Sequence, residues 1–187
     1  MTRRPPLLWH LSSVLAAAVI AHGLGTGVVS GQEPRYGTET GTQPSRFEVG
    51  DSADQALHAL WEASSAAGAE RAACIGGERK DGVAHITRVL ALDPAHADSL
   101  AVSALASIER CGPPMWFGTA HTHIALYDGQ HPYPGFSGSD RGVMMLWWKR
   151  WQVDGIFCVL YSPTMAHCET SGASAGLVAG PGTRTSY

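Results

Sequence analysis

His121 and His123, one residue apart, are the side chains in this sequence whose types and spacing most directly offer chemistry. On an extended segment, side chains at i and i+2 project to one face, so a strand running from Trp116 to His123 aims both imidazoles at the same point. Two imidazoles and a carboxylate make the donor set of a catalytic zinc, with a fourth position left for water. Asp140 is the best-placed carboxylate. It opens the helical pattern SDRGVMMLWWKRW, where Ser139 can cap and an acid in the first turn is favoured by the helix dipole.

By itself His-x-His is more often a polar strand edge than a metal site. Here it is followed by Ser137-x-x-Asp140 and preceded, far upstream, by Glu70-Arg-Ala-Ala-Cys-Ile-Gly-Gly. This set resembles the JAMM motif of the JAB/MPN metalloprotease family, and the resemblance covers most of the chain after residue 45. It implies an α/β (α+β) fold of the cytidine-deaminase-like, three-layer kind, a mixed β-sheet flanked by helices. It also implies Zn2+ on His121, His123 and Asp140, with Glu70 as general base and Ser137 stabilising the oxyanion. The reaction implied is hydrolysis of a peptide or isopeptide bond in a peptide or protein substrate. From spacing alone, Glu78 and Glu109 are nearly as eligible as Glu70.

The sequence departs from the family pattern in the loop. Ile124 follows the second histidine where the family places a proline, and thirteen residues separate His123 from Ser137. A longer loop is tolerated because closure entropy grows slowly with length, and HPYPGF keeps a proline-containing approach to Ser137. The same loop introduces His131, expected to sit near a substrate groove or in solvent rather than on the metal. Two competing readings are a metal-free scaffold of this family that only binds a partner and a zinc-binding surface protein without turnover. Against the first, all five motif residues are present.

The elements that must hold these residues follow from periodicity. RFEV, from Arg46, suits a first strand, and Ala56, Leu57, Leu60 and Trp61 recur at helical spacing behind a cap at Asp51 or Ser52, with Gly68 as the stop. A hairpin turning at Lys80-Asp81-Gly82 comes next. ALDPAHADSL resembles a tetratricopeptide junction, but no second copy stands at a period of about 34 residues, so one helix over 95–109 is expected, ended by Cys111-Gly112-Pro113-Pro114. After Asp140, Val143, Met144, Trp147, Trp148 and Trp151 form an apolar stripe read as core packing. Gly155 to Pro163 reads as a buried strand, and Thr164 to Glu169 adds a short one.

Outside this domain, assigned to residues 45–170, residues 1–31 read as a signal peptide. Arg3 and Arg4 precede the apolar run Leu7 to Ala21, and TRRPPLL resembles a twin-arginine signal. Residues 32–44 read as a flexible linker and 171–187 as a disordered tail. The protein is therefore expected to be exported, periplasmic or secreted, with no stable membrane span after signal removal. Charged residues make up 16% of the 187 and the formal net charge is -3, which excludes a nucleic-acid footprint. Four cysteines in an exported chain permit two disulfides. Cys74 and Cys158 suit inert core thiols, and Cys111–Cys168 is the preferred bridge. The sequence leaves the oligomeric state open.

Overall fold

Seven strands form one mixed sheet in the order β1-β3-β2-β4-β5-β6-β7, and helices cover both of its faces. In this computed structural model the described residues are 44–93, 104–172 and 183–187. The expected signal segment, most of the linker, the first part of the 95–109 helix and part of the C-terminal tail lie outside them. The strands are β1 (Arg46–Val49), β2 (Ala72–Lys80), β3 (Val83–Ala91), β4 (Gly118–Thr122), β5 (Gly155–Ser162), β6 (Met165–Ser171) and β7 (Thr183–Ser186). The helices are α1 (Asp51–Ala67), α2 (Ala104–Arg110) and α3 (Gly138–Trp151). β1/β3 and β4/β5 pair in parallel and the other neighbours antiparallel, and the edge strands β1 and β7 approach one another.

α1 forms because Ala53, Leu57, Leu60 and Ser64 recur on one buried stripe, with Asp51 and Asp54 in the first turn where the dipole favours them. Its N-cap is Gly50, without a side-chain cap, instead of the expected Asp51 or Ser52. Gly68 ends it in the left-handed conformation, returning its N–H to the Ser64 and Ser65 carbonyls. The expected hairpin is present: Asp81 and Gly82 both take positive φ, the two-residue geometry that matches strand twist.

Strand alternation sorts the core. Ile75, Ala84, Ile86, Ala120, Ile156, Cys158 and Leu160 pack with Phe47 and with Ala53 and Leu57 of α1 on one face. Phe157 and Val159, one residue out of phase, turn to the other face and meet Met144 and Trp147 of α3 and Ile108 of α2. Only part of the aromatic stripe on α3 is fully buried, Met144 and Trp147, while Trp148 and Trp151 lie half-buried at its edge.

Two expectations are corrected. The disulfides are Cys74–Cys111 and Cys158–Cys168. Cys111 and Cys168 cannot join, because Cys168 packs in the layer beneath α1 whereas Cys111 packs against Cys74 and Leu92 in a separate cluster. Cys158 and Cys168 stand directly opposite one another in adjacent strands, a register no spacing rule reveals. The 171–187 tail is not wholly disordered either. Ser171 completes β6, and Thr183–Ser186 adds β7 to its open edge, satisfying backbone groups that would otherwise face water.

Candidate metal centre

β4 carries the first histidine at a position where nothing but hydrogen fits its opening residue. A Cβ on Gly118 would lie 1.6 Å from the Ile156 carbonyl oxygen, so β4 can seat against β5 only with glycine there. The expected strand from Trp116 to His123 is shorter, Gly118–Thr122, but its flanks keep ladder bonds. The Phe117 N–H donates to the Ile75 carbonyl at 3.0 Å and the His123 N–H to the Leu160 carbonyl at 2.8 Å. Alternation therefore continues through His123, and both imidazoles emerge on the α3 side. Thr122 between them points the opposite way, where its hydroxyl lies 2.6 Å from the Ser64 hydroxyl of α1 and accepts the Arg71 N–H at 2.9 Å.

That second bond fixes where the carboxylate upstream of β2 comes to rest. Ala72 pairs with His121, and the Thr122 N–H donates to the Arg71 carbonyl at 2.9 Å, so Glu70 leads into β2 at the end of the ladder from which His123 leaves β4. Glu70 is 5% exposed, and its charge helps stabilise the His123 imidazolium. Glu78 and Glu109, the alternatives from spacing, do not join the group. Glu78 lies toward the hairpin end of β2, and Glu109 pairs with Arg150 at 3.6 Å.

Asp140 arrives from α3. The N-cap is Ser137, not Ser139: its hydroxyl accepts the Asp140 N–H at 3.2 Å while the Ser137 N–H donates to Asp140 Oδ2 at 2.6 Å, a reciprocal capping box. The box holds the carboxylate so that Oδ1 lies 3.3 Å from His121 Nε2 and Oδ2 lies 3.5 Å from His123 Nε2. The two Nε2 atoms are 3.1 Å apart.

His121, His123 and Asp140 thus form a group that can hold a metal ion. The donor spacing supports this quantitatively. Ligand distances of 2.0–2.1 Å in tetrahedral geometry put donors about 3.3 Å apart; with Asp140 Oδ1 as the carboxylate donor, the two sides of the triangle that meet at His121 Nε2 are 3.1 and 3.3 Å, while Oδ2 faces His123. On His123 the opposite ring atom, Nδ1, lies 2.8 Å from the Tyr133 carbonyl, to which it can donate, leaving the Nε2 lone pair directed inward. Burial opposes charge on both kinds of group. Even so, the His123 imidazolium is favoured above its ordinary range by Asp140, the Tyr133 carbonyl and Glu70. Asp140 is likewise held far below the usual carboxylate range by His121, His123 and Ser137.

Of the expected site residues, the structure brings His121, His123, Asp140 and Ser137 together and sets Glu70 beside His123. His131 is exposed, hydrogen-bonded with Asp128 in the turn of the long loop, and takes no part. Several neighbours were not anticipated. Tyr133 orients His123 through its carbonyl. Phe136 packs between His121 and His167, with ring centres 6.0 and 5.7 Å away. Beyond it, Arg141 and His167 both bind the buried carboxylate of Glu169. The two-residue spacing of His167 and Glu169 on β6 was visible in the sequence, but nothing there says which face they share with β4.

No family model matches the chain, and no curated protein matches it. Among solved structures it is similar to the solution structure of protein DSY2949 from Desulfitobacterium hafniense, at 13% identity, 75% of this chain, 89% of the other and a TM-score of 0.44.

Proposed function

We propose that this chain is an exported zinc-dependent peptidase or isopeptidase with the fold and mechanism of the JAB/MPN family. The observation that carries the reading is the group of His121, His123 and Asp140, with buried Glu70 near enough to His123 to act on its charge. Zinc, which these three residues would hold, would supply Lewis acidity toward the amide carbonyl of a substrate and toward water.

The remaining work falls to the chain. Glu70 takes a proton from water as it adds to the carbonyl and returns it to the departing amine nitrogen, and its burial beside His123 keeps this carboxylate next to the metal-binding group. The Ser137 hydroxyl accepts from the helix and has Ser139 Oγ at 3.4 Å. That hydroxyl donates its proton to Ser139 Oγ over this long distance and can turn it instead to a developing oxyanion, a contact commonly worth about a hundredfold in rate. Tyr133 and the capping box keep the imidazole and carboxylate aimed.

Two disulfides fit an oxidising, exported environment, and no helix among the described residues is long and apolar enough to cross a membrane. Export favours a wall-associated or secreted peptide substrate over intracellular protein tails. The test is metal analysis with hydrolysis of a peptide library. The parent is expected to hold one zinc, Glu70→Gln to keep it while losing turnover, and Ser137→Ala to keep it while slowing about a hundredfold. A parent without metal, or a Glu70→Gln protein as active as the parent, would replace this reading with that of a binding module.

A further inference from the structure

Arg141 follows Asp140 on the first turn of α3 and reaches over Phe136, its guanidinium carbon 5.2 Å from the ring centre. Its Nη1 and Nη2 each donate to one oxygen of Glu169, Nη2 at 3.0 Å, and Nη1 also lies 3.8 Å from Met144 Sδ. A guanidinium carries five N–H groups arranged so that two edges can each grip a carboxylate. The Glu169 grip uses one edge. Nε–H and the second Nη2–H form the other, and they have no partner among the described residues. The side chain is 35% exposed, whereas Glu169 beneath it is buried, and no nitrogen of Arg141 is among the buried atoms left without a partner.

The position relative to the metal group follows from the sheet. His121 pairs with Val159 and Val159 with His167, so these three lie in one row on one face, with Phe136 packed above. His167 donates to or accepts from Glu169 Oε1 at 2.7 Å and so shares that carboxylate with Arg141. The ring centres of Phe136 and His121 are 6.0 Å apart, so the guanidinium lies within about 11 Å of the His121 ring. An extended peptide covers that distance in about three residues.

We infer that the open edge of Arg141 is a subsite for a carboxylate of the substrate, within about three residues of the scissile amide. The substrate class is then a peptide with a free terminal or side-chain carboxylate near the cleaved bond. This rests on the peptidase reading and adds to it the end of the substrate that is recognised.

The test uses the full zinc-loaded chain with blocked tripeptides prepared as free acids and as C-terminal amides. The acids are expected to be used with at least about tenfold higher kcat/KM, the difference lying in KM. Arg141→Lys keeps a cation beside Glu169 but has no second edge, and should bring the acid-to-amide ratio to about one with zinc content intact. Equal use of acids and amides by the parent overturns the subsite, as does an Arg141→Lys protein that retains the parent's ratio. Calorimetric binding of both peptides to Glu70→Gln separates this from the hydrolase reading. Acid-selective binding without turnover in the parent keeps the subsite and removes the hydrolase. Unselective binding removes the subsite, whatever the turnover.

Discussion

Zinc should raise the melting temperature of this protein steeply, and the size of the effect follows from how nearly the donors are already in place. A tetrahedral ion needs its ligands about 3.3 Å apart, and the structure sets His121 Nε2 3.1 Å from His123 Nε2 and 3.3 Å from Asp140 Oδ1. Both separations are within about 0.2 Å of that spacing, so little binding energy is lost in bringing these donors together. Asp140 is fixed by the capping box and His123 by the Tyr133 carbonyl before any ion arrives. For an ion that binds the folded chain alone, a thousandfold excess over Kd stabilises by about 4 kcal/mol. At about 2–4 °C per kcal/mol for a chain of this size, the melting temperature rises by about 8–16 °C. The assay is thermal unfolding followed by circular dichroism, in chelator and in buffered excess zinc, for the parent and for His121→Ala, His123→Ala and Asp140→Ala. The shift should vanish in each variant. A parent that melts at the same temperature with and without zinc, or a His121→Ala protein that keeps the shift, would show that the triangle is only a hydrogen-bonded cluster.

Two further outcomes are expected. Thr122→Val removes a buried hydroxyl bonded to Ser64 and Arg71 while keeping the shape of the side chain. It should cost about 1–3 kcal/mol in chemical denaturation, and a midpoint equal to the parent's would show that the α1–β4 link does not contribute. Glu169 is opposed by burial, but His167 and Arg141 outweigh that and hold its carboxyl below the ordinary 4.5. A depressed carboxylate stabilises the fold above its unfolded pKa, and the contribution is lost as pH falls through the lower folded value. Glu169→Gln should therefore be less stable than the parent at pH 7, by about 2 kcal/mol. That is below the range for a fully buried pair because Arg141 meets water. The gap should narrow as pH falls below the ordinary 4.5 and close only below the lowered folded value, and a gap independent of pH would mean that the loss is one of packing.

Local chemistry made much of this legible in the sequence. The α1 stripe and Gly68, the Asp81-Gly82 turn, the apolar run of β5 and the helix opening near Asp140 depend on interactions within a few residues, and each was readable from spacing. So was the pairing of His121 with His123 on one face, because strand alternation needs no partner. Cap positions moved by one or two residues, to Gly50 and Ser137, since several small or polar residues at each start compete and the choice depends on what the helix packs against.

What only the tertiary structure decided are the relations between strands distant in sequence. Glu70 is distinguished from Glu78 and Glu109 by the β2–β4 register, which the Thr122–Arg71 bonds lock. The disulfide partners, the place of β7 and the row His121–Val159–His167 that brings Arg141 and Glu169 beside the metal group are likewise matters of register. A one-residue slip turns every side chain to the opposite face, and the free energy that selects one register comes from packing summed over the whole sheet. Composition and periodicity report which residues can face inward together; they carry no information on which strands lie side by side.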